Sequence, residues 1–92
     1  MQQRKKRPVH HYSVYVGMYA SEEVKLRVER REEDFSEPGR ILAQLFYSDG
    51  SQALAERAFA RAALAAMNNP LAFEVVMTRD SQTIIRVKAE RF

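Results

Sequence analysis

The stretch Ser51–Asn69, SQALAERAFARAALAAMNN, constrains this chain more than any other. It is rich in Ala, the strongest helix former, and it opens on Ser51, whose hydroxyl suits the N-cap position. It closes on Asn68-Asn69-Pro70, where Asn tolerates a left-handed cap and Pro cannot continue a helix. Wound at about 100° per residue, Leu54, Ala55, Ala58, Phe59, Ala62, Ala65 and Ala66 share one broad face. Small residues on that face predict a helix lying close on a sheet, with Leu54 and Phe59 as its larger anchors. A second, weaker apolar patch holds Ala53, Ala60, Leu64 and Met67, and Arg57 and Arg61 take the remaining surface.

Around this helix the residues alternate as strands do. After Pro8, the run from Val9 to Tyr19 places Tyr12, Val14 and Val16 on one side and Ser13, Tyr15, Gly17 and Tyr19 on the other. Val24 to Arg31 alternates again, with Val24, Leu26 and Val28 expected to face inward, which predicts an antiparallel hairpin with the first strand. Glu32-Glu33-Asp34 reads as a solvated acidic loop. Arg40–Ser48, RILAQLFYS, is of strand length between Pro38-Gly39 and Asp49-Gly50, and reads as a central strand. The helical spacing of Ile41, Leu42, Leu45 and Phe46 leaves a helix–turn–helix pair as its rival. Beyond the helix, Leu71–Thr78 and Thr83–Phe92 predict a second hairpin across Arg79-Asp80-Ser81-Gln82. Its inner face is expected to pair Phe73, Val75 and Met77 with Ile85, Val87 and Ala89. The expected fold is α+β: an antiparallel sheet of about five strands in the order β-β-β-α-β-β, with one long helix packed on one face. Residues 1–7 form a flexible basic tail and 8–92 a single domain.

The charge is unevenly placed. The chain holds 15 basic and 12 acidic residues, a net of +3. Removing Arg4-Lys5-Lys6-Arg7 from the 15 leaves 11 basic against 12 acidic, a net of −1 for the body. A tail with four positive charges suits a phosphate backbone, through counterion release, or another acidic surface; with Pro8 it also reads as a nuclear-localisation signal. On the outward side of the first hairpin, Tyr15, Tyr19, Lys25, Arg27 and Arg31 interleave rings with cations, and Arg86 and Lys88 extend the pattern. Rings that stack on bases beside cations that meet phosphates are what single-stranded nucleic acid requires, although cross-strand ion pairs would explain the same residues. Arg57 and Arg61 have no Asp or Glu three or four positions away, so any acidic partner must come from elsewhere in the fold or from another molecule.

An enzyme is not expected, and no cofactor or metal site is indicated. The chain contains no Cys and no Gly-rich phosphate loop. His10 and His11 are adjacent in an extended segment and point apart. No apolar segment has the length of a membrane span or the form of a signal peptide, so a soluble cytoplasmic protein is expected.

The small size, the lack of Cys and of catalytic motifs, the hairpins around a helix introduced by FYSDGSQALAERAF, and the basic tail together resemble small phage-encoded anti-CRISPR inhibitors. That resemblance implies a viral, stoichiometric inhibitor working by protein–protein interaction in the host-cell cytoplasm. It would dock on a CRISPR-Cas-like surveillance complex and block nucleic-acid access. Two other classes stay open. One is a direct RNA- or single-stranded-DNA-binding protein, or a ribosome-associated one. The other is an accessory protein that oligomerises through the Leu64 patch.

Overall fold

The computed structural model describes residues 9–32 and 39–88. Along the chain lie β1 (Tyr12–Tyr19), α1 (Glu22–Glu29), β2 (Ile41–Asp49), α2 (Gln52–Met67), β3 (Ala72–Arg79) and β4 (Gln82–Lys88). The sheet is four-stranded, in the order β2-β1-β3-β4, and every neighbouring pair is antiparallel. Both β2 and β3 run antiparallel to the β1 between them, so they are parallel to each other. The unit β2-α2-β3 is therefore a split βαβ crossover carried over β1.

The α+β class and the sheet-covering helix match the sequence expectation, while the strand count and pairing differ. The segment expected as a second strand is α1. Ser21 caps it, its hydroxyl accepting from the Val24 N–H at 3.1 Å. Glu22 and Glu23 occupy the first turn, where the helix dipole favours negative charge. Arg27 reaches back one turn to Glu23 at 2.8 Å. Val24 and Val28, four positions apart, share the half-buried face, whereas Leu26 is 48% exposed. The Val-x-Leu-x-Val alternation therefore carries no inward-facing strand stripe. The helix ends where Arg31 takes a left-handed conformation, φ 63°.

RILAQLFYS does form a strand, but at an edge of the sheet rather than its centre. Leu42 and Leu45 are exposed at 48% and 62%. The ladder slips between Val14 and Tyr15, so Phe46 is the extra residue of a bulge, and Phe46 and Tyr47 pack against the core. The inner strands are β1 and β3, and Tyr12, Val14 and Val16 of β1 are buried under α2 with Val75 and Met77 of β3.

The helix is capped as its sequence dictates. The Ser51 hydroxyl accepts from the Leu54 N–H at 3.2 Å, and the Ser51 N–H donates to the Tyr47 hydroxyl at 3.0 Å. Its sheet-facing line is Ala55, Ala58, Ala62 and Ala66, all buried. Leu54 lies roughly a quarter-turn from that line and is 47% exposed, while Phe59 and Ala65 are half-buried at its flanks. Leu54 is thus not an anchor.

The second hairpin turns at Asp80-Ser81, both with positive φ (53° and 70°), as a two-residue primed turn requires. Val75 pairs with Val87 and Met77 with Ile85, as expected. Phe73 does not continue that row. The pairing of β1 with β3 shifts between Gly17 and Met18, and Phe73 lies against Tyr19 with ring centroids 5.0 Å apart. Gly17 makes room for it, since a Cβ there would stand 3.1 Å from the Phe73 ring. Ile85 and Val87 are 41% and 38% exposed, because α2 packs on β1, β2 and β3 and leaves β4 outside its cover. Ala89 lies outside the described residues.

Candidate binding surfaces

The sheet face turned away from α2 was expected to present rings and cations. Its central row runs Leu45–Tyr15–Val76–Arg86 across the four strands, and the next runs Ala43–Gly17–Glu74–Lys88. Tyr15 is half-buried and Val76 fully buried. Tyr19 is buried against Phe73 and presents no open ring for a base. The Arg86 Nε lies 3.3 Å from a Glu74 carboxylate oxygen, and Lys88 stands across from the same Glu74 in register. Two of the other expected contributors belong to α1, not to a strand. Lys25 donates through Nζ to the Pro70 carbonyl at 2.7 Å, fastening α1 to the loop after α2, and Arg27 is held by Glu23. Arg31 is exposed beyond the end of α1. The expected continuous array of stacking rings and cations is therefore not assembled, and most of its cations have intramolecular partners.

The outer side of α2 is different. Arg57 and Arg61 are exposed, and neither has an ion-pair partner among the described residues. Beside them Leu64 and Met67 are exposed at 61% and 57%. This surface is fixed by α2 alone, which is why helical spacing sufficed to find it. The tail residues Arg4, Lys5, Lys6 and Arg7, and Glu33 and Asp34 of the acidic loop, lie outside the described residues.

One cluster had no signal in the sequence. Asp80, at the β3–β4 turn, accepts from the His11 N–H at 2.9 Å and meets the His10 Nδ1 at 2.7 Å, while its own N–H donates to the His11 carbonyl at 2.8 Å. The His11 Nε2 meets the Ser48 hydroxyl at 2.9 Å. The His11 N–H, foremost, and the His10 hydrogen bond hold the Asp80 carboxyl below its usual range. The two rings take different partners, as adjacent residues in an extended segment should. Asp80 binds the His11 backbone rather than its ring, so these contacts do not form a Ser–His–Asp relay. They instead tie the start of β1 to the far hairpin and to the end of β2.

Among the described residues no group of three or more His, Cys, Asp or Glu side chains is gathered to hold a metal ion. No helix among them is long and apolar enough to cross a membrane. Neither the sequence nor the fold of this chain matches a protein-family model, a curated protein or a solved structure.

Proposed function

We propose that this chain is a non-enzymatic binding protein that docks on the protein part of a nucleoprotein complex, of the RNA-guided surveillance kind, and blocks nucleic-acid access to it. The observation that carries this reading is the outer side of α2, where Leu64 and Met67 stand exposed beside two arginines that have no ion-pair partner among the described residues. Apolar anchors flanked by Arg are characteristic of protein interfaces. Direct binding of single strands is less well supported, because the aromatic platform it needs is buried or half-buried and Arg86 is paired with Glu74. The basic tail adds a local attraction to phosphate that favours the rim of a nucleic-acid channel.

The test has two arms. In gel shifts at two salt concentrations, naked RNA or DNA should bind weakly, with a salt slope of about −3 on single strands and about −4 on duplex for four tail contacts. That binding should vanish when Arg4, Lys5, Lys6 and Arg7 become Ala. In the second arm the protein is titrated into purified RNA-guided complexes and target-DNA binding is measured. Stoichiometric loss of target binding is expected, reversed by Leu64→Glu in a protein that still folds. Tight, salt-tolerant binding to naked nucleic acid that persists without the tail charges would refute the reading.

A further inference from the structure

The outer side of α2 has a regular pattern of its own. Ala53, Arg57, Ala60, Leu64 and Met67 follow one another at alternating spacings of four and three residues, and all five are exposed. That alternation averages about 3.5 residues, the repeat of a coiled-coil seam, so the five form one stripe along the helix. The stripe is about 21 Å long at about 1.5 Å per residue. It lies opposite the buried line Ala55, Ala58, Ala62 and Ala66, so α2 can meet a second helix there without losing its contact with the sheet. Leu64 and Met67 supply its apolar knobs, at 61% and 57% exposure, and Ala53 and Ala60 leave the gaps into which facing side chains fit.

Charge states what the facing helix carries. The helix α2 holds three charged residues, Glu56, Arg57 and Arg61, and all are exposed. The Glu56 carboxylate accepts from the Gln52 side-chain amide at 3.2 Å, on the flank of the stripe away from Arg61. Arg57 lies in the stripe and Arg61 beside it, and neither has an ion-pair partner among the described residues. We infer, resting on the docking function proposed above, that the element seated on this stripe is an amphipathic helix of the partner protein, whose apolar seam meets Leu64 and Met67 and whose flanking carboxylates pair with Arg57 and Arg61. A heptad helix places apolar and charged residues in that arrangement, and the guanidinium fork suits a carboxylate in two-point contact. A second copy of α2 fits less well, because it sets the same net positive surface against itself.

The test uses the full chain and two helical peptides of three heptads each. Both peptides carry Leu at the seam positions; one carries Glu and the other Lys at the flanking positions. In titrations followed by amide NMR, the Glu-flanked peptide should shift the signals of Arg57, Arg61, Leu64 and Met67 and saturate below about 1 mM. The Lys-flanked peptide should bind about tenfold more weakly or not at all, since two attractive contacts become repulsive. Arg57→Glu together with Arg61→Glu should reverse the preference, and Leu64→Glu should abolish binding of the Glu-flanked peptide. These positions are exposed, so the variants should keep the parent's circular dichroism spectrum, and the comparison of the two peptides on the parent chain needs no variant. Binding should persist when Arg4, Lys5, Lys6 and Arg7 become Ala. No binding of the Glu-flanked peptide, equal affinity for both peptides, loss of binding with the tail charges, or shifts that map away from α2 would each overturn the inference. So would a concentration-dependent dimer that Leu64→Glu dissolves. Target-DNA binding by purified RNA-guided complexes reads the function separately: inhibition without peptide binding keeps the docking and removes the acidic helix, whereas peptide binding without inhibition keeps the acidic helix and removes that complex as the target.

Discussion

Replacing Ala62 by Leu tests how closely α2 lies on the sheet. Ala62 is fully buried in the middle of the line Ala55, Ala58, Ala62 and Ala66, in one cluster with Val14, Val16, Val75 and Met77, each at most 1% exposed. Leu differs from Ala by a few tenths of a kcal/mol at most in helix propensity, so nearly all of the effect is packing. Were there space for the three added carbons, their burial would contribute up to about 2 kcal/mol, at about 0.8 kcal/mol per methylene. Interiors packed to crystal density leave no such space, and added methylenes then force side chains off rotamer or lift the helix. We expect a loss of about 2–3 kcal/mol, toward the upper part of the usual cost of overpacking. At about 4–8 °C per kcal/mol for a domain of this size, the melting temperature should fall by roughly 10–20 °C. Urea titration and thermal melts followed by far-UV circular dichroism measure both quantities. Ala60→Leu, on the exposed side of the same helix, is the control and should stay within about 0.5 kcal/mol of the parent. Equal or greater stability of Ala62→Leu would refute the close approach of helix to sheet, and with it the reason for Ala along this face.

Two other outcomes follow from particular contacts. Ser51→Ala removes the acceptor of the Leu54 N–H and should cost about 1 kcal/mol, read from the shift of the urea midpoint at unchanged m. Asp80→Asn should alter the pH dependence of stability: the folded carboxyl lies below its unfolded value near 3.8, so its contribution is present above that pH and is lost as pH falls through the folded value. The parent's advantage over Asp80→Asn should therefore be full near neutrality and gone in strong acid; a difference independent of pH would remove the charge from the account.

The parts of the fold that were legible are those decided by local chemistry. The α2 boundaries follow from Ser51 at one end and Asn68 at the other, and the strand at Ile41–Asp49 follows from the turn residues that bound it. The misread segment, Val24–Val28, shows why alternation over five residues is weak evidence. Residues i and i+4 share a face in both a strand and a helix, so only Leu26 distinguishes the two. What decides for the helix is Ser21 with Glu22 and Glu23 behind it, a cap and an acidic first turn that also resemble a plain turn. Strand order was not legible at all. Nothing local places β1 between β2 and β3, and the expected hairpin partner of β1 was the segment that coils into α1. The same ignorance of register hid the shift at Gly17–Met18 that turns Phe73 away from the Val75 and Met77 row.

The candidate binding residues divide along the same line. Whether a cation on a helix has an acidic neighbour is a question of three or four residues, so the absence of helical partners for Arg57 and Arg61 was readable, as was the exposure of Leu64 opposite the sheet-facing line. Whether a cation on a strand is paired depends on which strand lies beside it. Glu74 belongs to β3 and Arg86 to β4, and their ion pair exists only because the ladder sets Val76 against Arg86 and Glu74 against Lys88. Tyr19 is buried for the same nonlocal reason, through a ring that a bulge delivers. A surface inferred from residue types in alternating strands therefore overstates its available charge and its open rings. A helix surface, with its neutralising partners within one turn, can be judged from the sequence more fairly. This difference in range is why the outer side of α2, rather than the open sheet, carries the proposed docking function.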